Sequence, residues 1–175
     1  MIRRSFPGLL LGSALLAAVL PFQVRAQTQV FQAERGPYRV TTVVPELQDP
    51  WSMAWLPNGD MLVTERPGRL RVVRNGALQA EPIAGVPRVR YGGQGGLLDV
   101  VLHPDFESNR LVYLSYSKPN ADGSEGTTAV ARGRLEDNRL ENVEEIFEAV
   151  AWRSGEGHYG SRLAFDENGY LFITV

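Results

Sequence analysis

The sequence predicts an all-β fold built from repeated strand units, a β-propeller, and three observations predict it. A strand–turn–strand pattern occurs three times, its turns lie 47 and 63 residues apart, and no amphipathic helical stretch long enough to alternate with the strands intervenes. The 18 glycines and 11 prolines suit a chain that turns often rather than a helical one.

Residues 1–26 read as a cleavable secretory signal. Arg3 and Arg4 form a basic start, Gly8 to Leu20 is apolar, and Val24 and Ala26 are the small residues expected before cleavage ahead of Gln27. The apolar run is short of the roughly 20 residues that span a bilayer, so no membrane anchor is expected after cleavage. Arg3-Arg4 also admits the twin-arginine export route. Cleavage removes three arginines and no acid, taking the formal charge from −2 to −5. An acidic chain without cysteine points to a bacterial periplasmic or secreted protein rather than a disulfide-built one. The balance gives no sign of nucleic-acid binding, which shows as a basic surplus.

Residues 27–175 form one expected domain. Tyr38 to Val44 is β-branched and strand-like, and Pro45 to Pro50 ends it. Ser52–Leu56 and Met61–Thr64 then flank the turn Pro57-Asn58-Gly59-Asp60, a strong hairpin signal. Pro67-Gly68 leads into a third strand, Arg69–Val73, closed by Asn75-Gly76. The pattern returns at Leu98–Leu102, His103–Phe106 and Leu111–Tyr116, and again at Arg162–Phe165, Asp166–Gly169 and Tyr170–Thr174. Between the second and third repeats, Ser117 to Thr127 reads as a loop insertion, and Glu141 to Ala149 suits either a helical turn or a strand edge.

A β-sandwich is the competing architecture, but repetition of the whole motif favours the propeller. Ring closure needs at least four blades, and the chain holds about two and the start of a third. The expectation is therefore an N-terminal part of a longer propeller.

Two glycine-rich stretches depart from the hairpin pattern. Tyr91-Gly-Gly-Gln94-Gly-Gly-Leu97 frees the backbone for close approach to a ligand, or is simply a flexible loop in which Gln94 is incidental. Ser154-Gly-Glu-Gly157-His158-Tyr-Gly-Ser-Arg162 places one of only two histidines in a loop before a strand. A neutral imidazole there can accept a proton as a general base, or be an ordinary surface histidine. His103, before Pro104, suits a structural turn. No phosphate-cradling loop or nucleophile elbow is present. Asn120 to Glu125 lacks calcium-loop spacing and reads as a hairpin tip.

Five motifs in order resemble the glucose/sorbosone dehydrogenase family, its aldose sugar dehydrogenase branch in particular. They are Pro50–Gly59, Val63–Leu70, Gly93–Asp99, His103–Phe106 and Gly157–Leu163, and the likeness extends over roughly residues 36–175. The resemblance implies a six-bladed propeller carrying pyrroloquinoline quinone over its central mouth, assisted by calcium. It implies oxidation of an aldose at the C1 hydroxyl, with His158 as general base, Gln94 beside substrate and cofactor, hydride passing to the quinone, and an external electron acceptor. In the glucose dehydrogenase branch an aspartate precedes the histidine, whereas Gly157 stands here. The calcium ligands and the basic residues that hold the quinone belong to later blades, beyond Val175. A metal-dependent propeller hydrolase of lactonase type and a non-catalytic interaction propeller are the rival functions.

Overall fold

The computed structural model describes residues 28–175; the expected signal segment, residues 1–26, lies outside the described residues. Twelve strands fall in chain order into antiparallel meanders among these residues. β1 (Thr28–Ala33) and β2 (Gly36–Thr41) form a separate hairpin. β3 (Pro50–Trp55), β4 (Met61–Glu65), β5 (Arg69–Arg74) and β6 (Ala77–Leu78) form the first four-stranded blade. β7 (Leu97–Leu102), β8 (Leu111–Pro119), β9 (Gly126–Glu136) and β10 (Arg139–Glu148) form the second, and β11 (Leu163–Phe165) with β12 (Leu171–Ile173) opens a third. This is the propeller expected from the repeat. A single helical turn, α1 (Phe106–Asn109), sits in the β7–β8 connection.

Strand alternation decides how the blades pack. Successive side chains point to opposite faces, so a strand between two layers must be apolar on both. β4 is buried throughout. Leu62 faces the second blade in a core with Leu70, Val72, Leu97, Val100 and Leu114, while Met61 and Val63 face the other way with Val73. β8 repeats the arrangement: Val112, Leu114 and Tyr116 face the first blade, and Tyr113 joins Val130 and Leu163 against the third unit.

Two readings of the sequence are corrected. Ser117–Thr127 is not a loop insertion: β8 continues to Pro119, β9 begins at Gly126, and only residues 120–125 form the tip. The wider spacing comes instead from strands of 9, 11 and 10 residues and from the loop after β10. Tyr38–Val44 holds a strand that stops at Thr41 and pairs with β1, a partner the sequence did not announce. Of Glu141–Ala149, all but Ala149 lies in the edge strand β10, not in a helical turn.

The first strand of each unit meets the next around one buried carboxylate. Asp99 on β7 accepts from Ser52 Oγ at 2.5 Å, from Arg162 Nη1 at 3.1 Å and from the Leu163 amide at 2.8 Å. It is 3% exposed. Charge-assisted hydrogen bonds of this kind are the strong ones. They tie β3, β7 and β11 together and fix the chain that enters β11, directly after the histidine loop.

Candidate functional site

The two glycine-rich loops occupy equivalent places, one before β7 and one before β11, and the fold brings them into contact. The Gln94 amide donates to the Glu156 carbonyl at 2.8 Å. In return the His158 amide donates to Gln94 Oε1 at 2.8 Å. The two residues singled out from sequence, 64 positions apart, are thus directly joined. A glycine makes this possible. Gly93 is the one that the contact requires, since a Cβ there would lie 2.5 Å from the Glu156 Cβ, closer than real atoms approach, whereas one at Gly157 would lie 3.4 Å from Gln94 Oε1, an ordinary contact.

His158 is held in the left-handed region at φ 63°, uncommon for a residue with a side chain. Such a conformation persists only where the surroundings enforce it. Here they do. Tyr159, next in the chain, is 4% exposed, and its carbonyl accepts from Thr128 Oγ1 at 2.7 Å and Ser161 Oγ at 2.8 Å. The loop is also anchored at its start, where Arg153 and Gly126 exchange backbone hydrogen bonds, and near its end, where the Ser161 amide donates to the Thr174 carbonyl at 2.8 Å. The His158 side chain is exposed on this fixed backbone.

Beside the joined loops lies a cavity of about 330 Å³ whose lining includes Trp51, Arg66, Gly93, Gln94, Tyr159 and Gly160. Trp51 and Arg66 received no individual role from the sequence, although both stand within the motifs that carry the family resemblance. The Arg66 guanidinium donates to the Gly93 carbonyl and lies 5.5 Å from the Tyr91 ring centre. The Arg162 guanidinium lies 4.3 Å from the Trp51 ring centre. The cavity wall therefore combines an indole, a guanidinium and a primary amide, a set suited to a flat anionic ligand, while His158 does not line it and is joined to it through its backbone amide and the neighbouring Tyr159 and Gly160.

His103 takes no part. Its Nδ1 accepts from the Asp105 amide at 3.0 Å, and its ring packs near Tyr113 and Phe165. It fastens the turn before α1.

Comparison with known proteins gives a consistent result. The sequence profile of the family described as glucose/sorbosone dehydrogenase matches residues 47–175. Aldose sugar dehydrogenase YliI of Escherichia coli strain K12 is 45% identical over 139 residues, covering 78% of this chain and 37% of that protein. The crystal structure of the soluble aldose sugar dehydrogenase of Escherichia coli in its apo form aligns with a TM-score of 0.71 at 40% identity, over 86% of this chain and 41% of that one. The aldose sugar dehydrogenase of Streptomyces coelicolor, solved with pyrroloquinoline quinone bound, shares the fold at 24% identity and a TM-score of 0.65, over 85% of this chain and 41% of that one. The chain thus spans about two fifths of the length of the proteins it matches.

Proposed function

The chain belongs to the glucose/sorbosone dehydrogenase family, and on that premise we propose that its complete gene product oxidises aldose sugars at C1 to lactones, with pyrroloquinoline quinone as the hydride acceptor. The observation that carries this reading is the hydrogen bond from the His158 backbone amide to Gln94 Oε1, which joins the histidine loop to a cavity that Gln94, Tyr159 and Gly160 line. The residues present fit the quinone. A planar, carboxylate-bearing ring system suits the Trp51 indole and the Arg66 guanidinium, which together with Gln94 are this chain's contribution to holding it. When bound, the quinone supplies the two-electron acceptor that no amino-acid side chain provides.

His158 takes the proton from the C1 hydroxyl as the C1 hydrogen leaves with its electron pair, so that the C1–O single bond becomes a carbonyl. The left-handed backbone at residue 158 is held by its neighbours, which fixes where the imidazole is attached. Gln94 orients substrate and cofactor. Its Oε1 already accepts from the His158 amide, which leaves Nε2 to donate to a sugar or quinone oxygen. Calcium belongs to the same reading, with ligands expected beyond Val175. An external acceptor removes the electrons, and the protein works after export, released by cleavage between Ala26 and Gln27. Mass spectrometry of the exported protein is expected to find Gln27 at the N-terminus; retention of residues 1–26 would refute the cleavage.

Steady-state aldose oxidation by the reconstituted complete enzyme tests the chemistry. His158→Gln keeps a hydrogen-bonding side chain but no base that titrates near neutrality. Its kcat is expected to fall by about 10²- to 10⁴-fold, with quinone binding retained by absorbance. Gln94→Ala is expected to weaken substrate or quinone binding more than kcat. Near-full kcat for His158→Gln at saturating quinone would remove the base assignment.

A further inference from the structure

Arg90 immediately precedes the Gln94 loop and points away from it, toward two other segments. Its main chain is fixed from both sides by Ser117 on β8. The Arg90 amide donates to the Ser117 carbonyl at 2.7 Å, and the Ser117 hydroxyl donates to the Arg90 carbonyl at 2.6 Å. Ser117 is fully buried. The root of the arginine side chain is therefore immobile.

The guanidinium carries five N–H donors in a rigid plane. Each has an acceptor. Nε donates to the Gly123 carbonyl at 3.3 Å and Nη2 to the Ser124 carbonyl at 3.4 Å, both at the β8–β9 tip. Nη2 also donates to the Ser154 carbonyl at 3.0 Å, and Nη1 to the Gly155 carbonyl at 3.2 Å and the Tyr159 hydroxyl at 3.3 Å, all in the loop that carries His158. Gly126 completes the fit, because a Cβ there would lie 2.9 Å from both the Arg90 Cδ and the Tyr159 hydroxyl oxygen.

We infer that Arg90 is a positioning residue for the reaction proposed above: its guanidinium clamps the tip at residues 120–125 to the loop at 154–159, and so holds the backbone that presents His158. No acidic side chain pairs with this cation among the described residues. Its donors are spent on carbonyl oxygens and a phenol, which orders backbone rather than cancelling charge. Individually the bonds are long, and the effect comes from one planar group meeting five acceptors on two segments. The inference rests on the dehydrogenase reading only for its catalytic consequence.

The test uses the complete protein and two readouts. Hydrogen exchange of segments 120–126 and 154–161 is measured without cofactor, and aldose oxidation after reconstitution with pyrroloquinoline quinone. In Arg90→Ala, both segments are expected to exchange faster. Its kcat should fall by about 10- to 100-fold while quinone affinity holds, as misplacement of a reacting group by an ångström can produce. Added guanidinium should recover part of the lost kcat, which a general loss of stability would not allow. Arg90→Lys keeps the charge and stem and decides the matter should Arg90→Ala not fold. A single ammonium cannot reproduce the fork, so at least one segment should still exchange faster and kcat should stay below wild type. Wild-type exchange in both segments of either folded variant overturns the clamp. Faster exchange with unchanged kcat overturns its link to catalysis. If the wild-type protein oxidises no aldose, the reading of the reaction fails, and the exchange measurement alone still decides the clamp.

Discussion

Gly96 sets the Gln94 loop directly against the backbone of the β4–β5 turn in the first blade. Its φ is 144°, and a Cβ there would lie 2.2 Å from the Arg66 carbonyl oxygen, which also accepts from the Leu97 amide at 2.9 Å. An alanine must displace that backbone and strain its own, so Gly96→Ala is expected to destabilise the complete protein by about 1–3 kcal/mol or more in denaturant unfolding. Gly155 has an ordinary φ and open space around its Cβ position. Gly155→Ala is therefore expected to stay within about 0.5 kcal/mol of wild type. Equal losses for the two would mean that close approach is not what the loop requires of glycine. Residue types alone suggested close approach in the Gln94 loop, and pointed to Gln94 and His158. They could not show that what approaches Gly93 is Glu156, because that contact depends on how two blades stack. Arg90 and Asp99 received no individual role for the same reason: arginine after valine and aspartate in a strand carry no local signature, and their partners come from two or more separate segments.

Glu65 ends β4, fully buried, at the junction of two strands and the chain before β3. It accepts from the Gln48 amide at 2.6 Å and Arg69 Nε at 2.6 Å, with Arg71 Nη1 at 3.3 Å. Burial pushes its pKa up, but the hydrogen bonds from Arg69, Gln48 and Arg71 outweigh this and leave it below the ordinary 4.5. A group depressed on folding stabilises the fold above its unfolded pKa, and that stabilisation is lost as pH falls through the folded value. Stability is therefore expected to decline as pH drops below about 4.5. Glu65→Gln should cost stability at neutral pH and flatten the decline, as seen in melting temperature against pH. A parallel, undiminished decline in the variant would assign it to other carboxylates. The opening hairpins of the first and third units were legible because Asn58-Gly59 and Asn168-Gly169 separate short apolar runs, and that of the second because His103-Pro104-Asp105 does the same. β9 was not, since Thr127 to Ala131 is buried on both faces and shows no alternation to read. β10 was ambiguous because it is a sheet edge, largely exposed and rich in glutamate, as edges that must avoid further pairing often are.

At the scale of the molecule, the row of blades presents two apolar faces with no blade packed on them among the described residues. On the first blade, Met53 pairs in register with Val63 and Trp55 with Met61, so all four lie on the face turned away from the second blade. Met53 is 57% and Trp55 60% exposed, beside a cavity of about 610 Å³ also lined by Val43, Val44 and Leu47. At the other end, Leu163 and Ile173 pack against the second blade, and alternation sends Phe172 to the far side, 61% exposed. Large apolar side chains grouped this way behave as contact surfaces rather than solvent surfaces. Residues 28–175 produced alone are therefore expected to self-associate and to show no aldose oxidation with added quinone, since both faces seek cover and the proposed calcium ligands lie elsewhere. Sedimentation velocity across a concentration series checks the first, with Trp55→Lys and Phe172→Lys together expected to shift the distribution toward monomer by placing charge on each face. A segment that is monomeric at all concentrations, melts cooperatively and oxidises an aldose would show that these two blades and the opening of a third suffice. The apolar faces would then be ordinary surface, and the site at Gln94 and His158 would need nothing beyond this chain.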